Sequence, residues 1–100
     1  MRLTAEQQRQ ILQLVQQHVG TEASVRLYGS RLDENRHGGD VDLMIEGSGH
    51  LTPMARADLQ LDLEQTIGYP VDILYRQIGT PLTPFQALAR TRSQALNGHA

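Results

Sequence analysis

The run Asp40-Val41-Asp42-Leu43-Met44-Ile45 constrains this chain more than any other. Its apolar residues and length suit a strand, yet it opens on two carboxylates. Side chains alternate across a strand. Asp40 and Asp42 therefore share one face, and Val41, Leu43 and Ile45 share the other. A charge on a half-buried strand is costly unless something pairs with it. The fold must bury one face of this strand against helices and leave the carboxylate face open for a partner of opposite charge.

The rest of the chain supplies such a scaffold. Thr4 followed by Gln7 reads as a capping box, and Ile11, Leu12, Leu14, Val15 and Val19 then recur near helical spacing until Gly20. Val25 to Tyr28 reads as a short strand, with Arg26 facing away from Val25 and Leu27. Gly29-Ser30 turns the chain, and the polar stretch from Arg31 to Gly39 holds a short helix, a loop or both. Thr52-Pro53 is a helix start, and Gly68 is its stop. Tyr69-Pro70 delivers a third strand, Val71 to Tyr75, and Thr83-Pro84 starts a last helix running to about Leu96. The order helix, strand, strand, helix, strand, helix describes an α/β (α+β) domain: a small mixed sheet with helices packed on one face. At 100 residues a single domain is expected over 1–100.

The third strand repeats the device of the second. Asp72 points one way, and Val71, Ile73 and Tyr75 the other. If the two strands are neighbours, Asp40, Asp42 and Asp72 converge on one open face. A pair of like charges about 6 Å apart costs roughly 2–3 kcal/mol at an effective dielectric of about 20, and neither strand so bounded contains a basic residue. A divalent cation relieves that repulsion. Magnesium favours carboxylate oxygens together with substrate phosphates. Two such ions activate an attacking hydroxyl and stabilise a leaving pyrophosphate.

Gly29-Ser30 fits the other half of that chemistry. A helix starting after Ser30 would aim its first N–H groups at a phosphate. Gly29 permits close approach of the backbone, and the Ser30 hydroxyl adds a donor. Arg31 and Arg36 can add charge-assisted contacts. His37 reads as a loop residue.

Gly29-Ser30, a nine-residue gap and Asp40-Val41-Asp42 with apolar neighbours resemble the signature of the DNA polymerase β-like nucleotidyltransferase superfamily. The Gly-Ser-Arg start and the Val-Asp-Ile-Leu strand look most like its minimal nucleotidyltransferases. The resemblance implies that Gly29 and Ser30 hold the triphosphate of ATP, where Arg31 is expected to assist, and that Asp40 and Asp42 bind magnesium. Asp72 would complete the metal set and help activate the acceptor hydroxyl. It further implies an antitoxin that transfers AMP to a tyrosine of a partner HEPN-domain toxin. Two rival readings use the same residues: an antitoxin that neutralises its partner by binding alone, and a metal-dependent phosphoesterase.

Composition bears on what remains. The formal net charge of −2 argues against a nonspecific nucleic-acid coat, so no direct nucleic-acid binding is expected. The chain has no cysteine, which excludes disulfides and thiolate zinc sites and suits a cytoplasmic setting. No stretch is long or apolar enough for a membrane span, and the N-terminus lacks the apolar run of a signal peptide.

Overall fold

The computed structural model describes residues 3–28 and 40–96. Gly29, Ser30, Arg31, Arg36 and His37, and with them the expected phosphate turn, lie outside the described residues.

Three helices and four strands alternate as α1 (Ala5–His18), β1 (Ser24–Tyr28), β2 (Val41–Gly47), α2 (Pro53–Ile67), β3 (Val71–Gln77), α3 (Pro84–Thr91) and β4 (Gln94–Leu96). Each helix begins where the caps predict. The Thr4 hydroxyl accepts from the Gln7 amide at 3.0 Å, and Gln7 Oε1 accepts from the Thr4 amide at 2.8 Å. Thr83 and Gln86 make the same reciprocal pair at the head of α3. Thr52 caps α2 with Pro53 in its first turn. Gly68, at φ 79°, ends α2 in the left-handed region that a side chain would resist.

The sheet order is β3-β2-β1-β4. β2 and β3 are parallel, joined by the α2 crossover that a parallel pair requires. β1 runs antiparallel to both β2 and β4. On one face Val25, Leu27, Val41, Leu43, Val71 and Ile73 meet Ile11 and Val15 of α1 and Leu59, Leu63 and Ile67 of α2 in a single core. That burial locks the register, because a slip of one residue would drive Asp42 and Asp72 into the core.

The opposite face carries α3. Ala89 is buried there, the Phe85 ring meets Tyr28, and Arg90 approaches Glu46. Tyr28 and Glu46 alternate with the core residues of their strands, so α3 lies across the face that α1 and α2 leave open. Met44, of the same parity as Asp42 and Glu46, is fully buried on this face, which is worth about 1.5–3 kcal/mol. Two of the three helices therefore share one face, as expected, and the third covers part of the other.

The last helix is shorter than expected. It stops at Thr91, and Gln94–Leu96 return to pair with Val25, Arg26 and Leu27 of β1. Burial of Leu96 in the core favours the strand over continued helix. The third strand is longer than expected and reaches Gln77 because Gly47 and Gln77 still stand in register. Among the described residues no helix is long and apolar enough to cross a membrane.

Candidate active site

Asp42 and Asp72 stand directly opposite one another on the parallel strands β2 and β3. Adjacent strands lie about 4.8 Å apart, and equivalent positions of a parallel pair point the same way. Tyr28 faces Asp42 from β1. The three residues form one row, Tyr28–Asp42–Asp72, on the face away from the main core. Asp42 and Tyr28 are half-buried, whereas Asp72 is exposed. Asp40 is exposed just before β2, two residues from Asp42, the spacing at which an extended chain repeats its face.

The electrostatics of the row register on the tyrosine. Burial raises the Tyr28 phenol above its ordinary range, and the charges of Asp42 and then Asp72 raise it further. Both carboxylates thus act on the same hydroxyl. The Phe85 ring sits edge-on to Tyr28, with centroids 6.3 Å apart and planes at 78°, a favoured aromatic geometry. Phe85 is itself 57% exposed, so the pair forms an apolar wall beside the carboxylates.

The longer β3 corrects the expectation that no basic residue lies within these strands, because it includes Arg76 on the face of Asp72. Arg76 is engaged elsewhere. Its Nη1 donates to Glu46 Oε2 at 2.6 Å, and its Nη2 to the Thr80 carbonyl at 2.6 Å. Arg90 of α3 lies 3.7 Å from the same Glu46 oxygen. The two arginines are drawn to Glu46 at the far end of β2, not to the carboxylate row. Among the described residues Asp72 makes no ion pair.

Asp42 and Asp72 are hard oxygen donors side by side, a set that suits magnesium when substrate phosphates complete the coordination. Asp40 stands at the entrance to the same strand. Among the described residues no group of three or more His, Asp or Glu side chains is gathered closely enough to hold a metal by itself. Two adjacent carboxylates would suit an ion whose remaining ligands come from a phosphate substrate.

Sequence reasoning missed three residues of this face. Tyr28 had a usable signal, since its parity with Arg26 places it opposite the core. Glu46 and Phe85 had none, because both depend on where α3 lies.

Comparison with known proteins bears on what this row belongs to. No curated protein sequence matches the chain. A chain from the structure of a tri-AMPylated Shewanella oneidensis HEPN toxin in complex with its MNT antitoxin is similar at 18% identity, with a TM-score of 0.73 over 96% of this chain and 74% of that one. A chain from a toxin–antitoxin structure with AMP-PNP is similar at 21% identity, with a TM-score of 0.73 over 97% of this chain and 75% of that one. A protein described as a minimal nucleotidyltransferase is similar at 23% identity, with a TM-score of 0.67 over 92% of this chain and 95% of that one. These likenesses establish the fold. A family model for the nucleotidyltransferase domain matches residues 8–94, and the chain belongs to that family.

Proposed function

We propose that this chain is an antitoxin that transfers AMP from ATP to a tyrosine hydroxyl of a HEPN toxin, in the cytoplasm, as a single domain. The observation that carries the reading is the alignment of Asp42 with Asp72 on the face away from the main core, in a chain of the nucleotidyltransferase family. Similar folds occur in a complex of an MNT antitoxin with an AMPylated HEPN toxin and in a toxin–antitoxin structure with AMP-PNP.

In this reading Asp40, Asp42 and Asp72 hold magnesium. Gly29, Ser30 and Arg31 hold the phosphates of ATP. Bound magnesium supplies charge neutralisation at the phosphates and lowers the pKa of the attacking hydroxyl. Asp72, the most exposed of the row, takes the proton from the acceptor hydroxyl or orients it. The acceptor oxygen bonds to the α-phosphorus, the bond to the bridging oxygen of the β-phosphate breaks, and pyrophosphate leaves. Asp72, the exposed end of the row, is where an acceptor brought by a second protein would enter.

The test is incubation with magnesium, ATP and the HEPN partner, followed by intact mass of both proteins. AMP added to the partner by the wild type, and not by Asp42→Asn, is the expected result. A stable complex that neutralises the toxin with no mass gain would overturn transfer in favour of an antitoxin acting by binding alone. Release of inorganic phosphate or AMP with no adduct would indicate a phosphoesterase.

A further inference from the structure

We infer that the Tyr28 hydroxyl is a ligand-binding group of this site, a hydrogen-bond donor to the phosphate chain of the nucleotide. The inference rests on the nucleotidyltransferase reading above and assigns a residue which that reading leaves unused.

The row Tyr28–Asp42–Asp72 is chemically unequal. Ionised aspartates only accept hydrogen bonds. They serve an anionic ligand through a cation and offer it nothing directly. A phenol carries its proton at neutral pH, so Tyr28 is the donor of the row. Its placement follows from the backbone. Tyr28 faces Asp42 across the β1–β2 ladder, and Asp42 faces Asp72 across the β2–β3 ladder, all with the same parity. A tyrosine side chain is longer than an aspartate's, so a hydroxyl on this row has the reach to meet a phosphate that a cation on the two carboxylates would hold.

Two features hold the group for this use. Phe85 packs edge-on against the ring and restricts its swing. The arginines Arg76 and Arg90, which would otherwise compete for an anion on this face, are drawn to Glu46 at its opposite end. Packing alone explains a phenylalanine at position 28 equally well. The hydroxyl is what packing leaves unexplained.

The experiment is calorimetric titration of the full chain with a non-hydrolysable ATP analogue and with AMP, in magnesium, for the wild type, Tyr28→Phe and Phe85→Leu. Tyr28→Phe keeps the ring and its contact with Phe85, so its melting temperature is expected to match the wild type. The analogue should bind about tenfold more weakly to Tyr28→Phe, the loss typical of one hydrogen bond to a charged group. AMP should lose less, because it lacks the β- and γ-phosphates. In turnover the KM for ATP should rise while kcat and the acceptor KM stay within about twofold, the pattern of lost ground-state binding. Equal analogue affinity in wild type and Tyr28→Phe overturns the inference, and so does a larger loss in Phe85→Leu than in Tyr28→Phe. A wild type that binds no nucleotide sinks the nucleotidyltransferase reading itself, a distinguishable failure.

Discussion

Asp42 and Glu46 lie four residues apart on β2 and face the same side of the sheet, yet their partners in register on β3 are opposite in charge, Asp72 beside the first and Arg76 beside the second. Glu46 is buried, its side chain 8% exposed, and it accepts from Arg76 of β3 while Arg90 of α3 stands 3.7 Å away. Asp42 is set beside a second carboxylate, Asp72, at the end of the face where α3 contributes the exposed Phe85. One carboxylate joins three elements by opposite charge. The other stands in register with a second carboxylate, a placement that the core on the reverse face enforces. The difference separates what steadies this face of the fold from what is kept ready for a ligand, because like charges are tolerated where a cation completes the site.

The largest expected effect tests the carboxylate end. Asp72→Asn should lower transfer by roughly 10²–10⁴-fold, the range for loss of a positioned acid–base group. Its stability should stay level or rise by about 0.5 kcal/mol, since it removes repulsion from a residue that is solvent-screened. Urea unfolding alongside the transfer assay checks both arms. A clear loss of stability would mean that Asp72 supports the fold, and the contrast with Glu46 would collapse.

Glu46→Ala should show the converse. Removing one partner of a buried ion pair costs several kcal/mol when the other is left uncompensated. Arg76 and Arg90 can still reach water along their long stems, so about 2–3 kcal/mol is expected in urea unfolding. Arg90→Ala should cost less, about 0.5 kcal/mol, because that arginine is 47% exposed and 3.7 Å from the carboxylate. A cost for Arg90→Ala equal to that of Glu46→Ala would mean that α3 is held by this contact and not by burial of Ala89.

Much of this contrast was legible in the chain. Alternation in Asp40-Val41-Asp42-Leu43 and Val71-Asp72-Ile73 fixed which residues face away from the core, and Thr52-Pro53 with Gly68 bounded the crossover helix that makes β2 and β3 parallel. Glu46 was not legible, because its burial depends on Arg76 and on α3, 30 and more residues away. β4 was hidden for a similar reason. Gln94-Ala95-Leu96 continues a helical pattern locally, and only pairing with β1 and burial of Leu96 make it a strand. Tyr28 showed its parity but not its neighbours, since its pairing with Asp42 and its contact with Phe85 join residues far apart in the chain.

The smallest effect separates the two faces through their tyrosines. Tyr75, on the core side, has its phenol raised by burial alone. Tyr28 is raised by burial first and then by Asp42 and Asp72. A phenol whose folded pKa lies above its unfolded value of about 10 favours the folded state fully below that value. The advantage fades as pH rises from there through the folded pKa. Tyr28→Phe should therefore lose less stability than the wild type between neutral pH and the alkaline range, seen in urea midpoints on either side of pH 10. Replacing both Asp42 and Asp72 by Asn should bring the Tyr28 phenol part of the way back down in an ultraviolet phenolate titration, because burial, the larger cause, remains. Tyr75 should not respond. A Tyr28 titration unmoved by the double replacement would mean that the carboxylate charges do not reach the hydroxyl, and the row would reduce to two aspartates beside an ordinary packed ring.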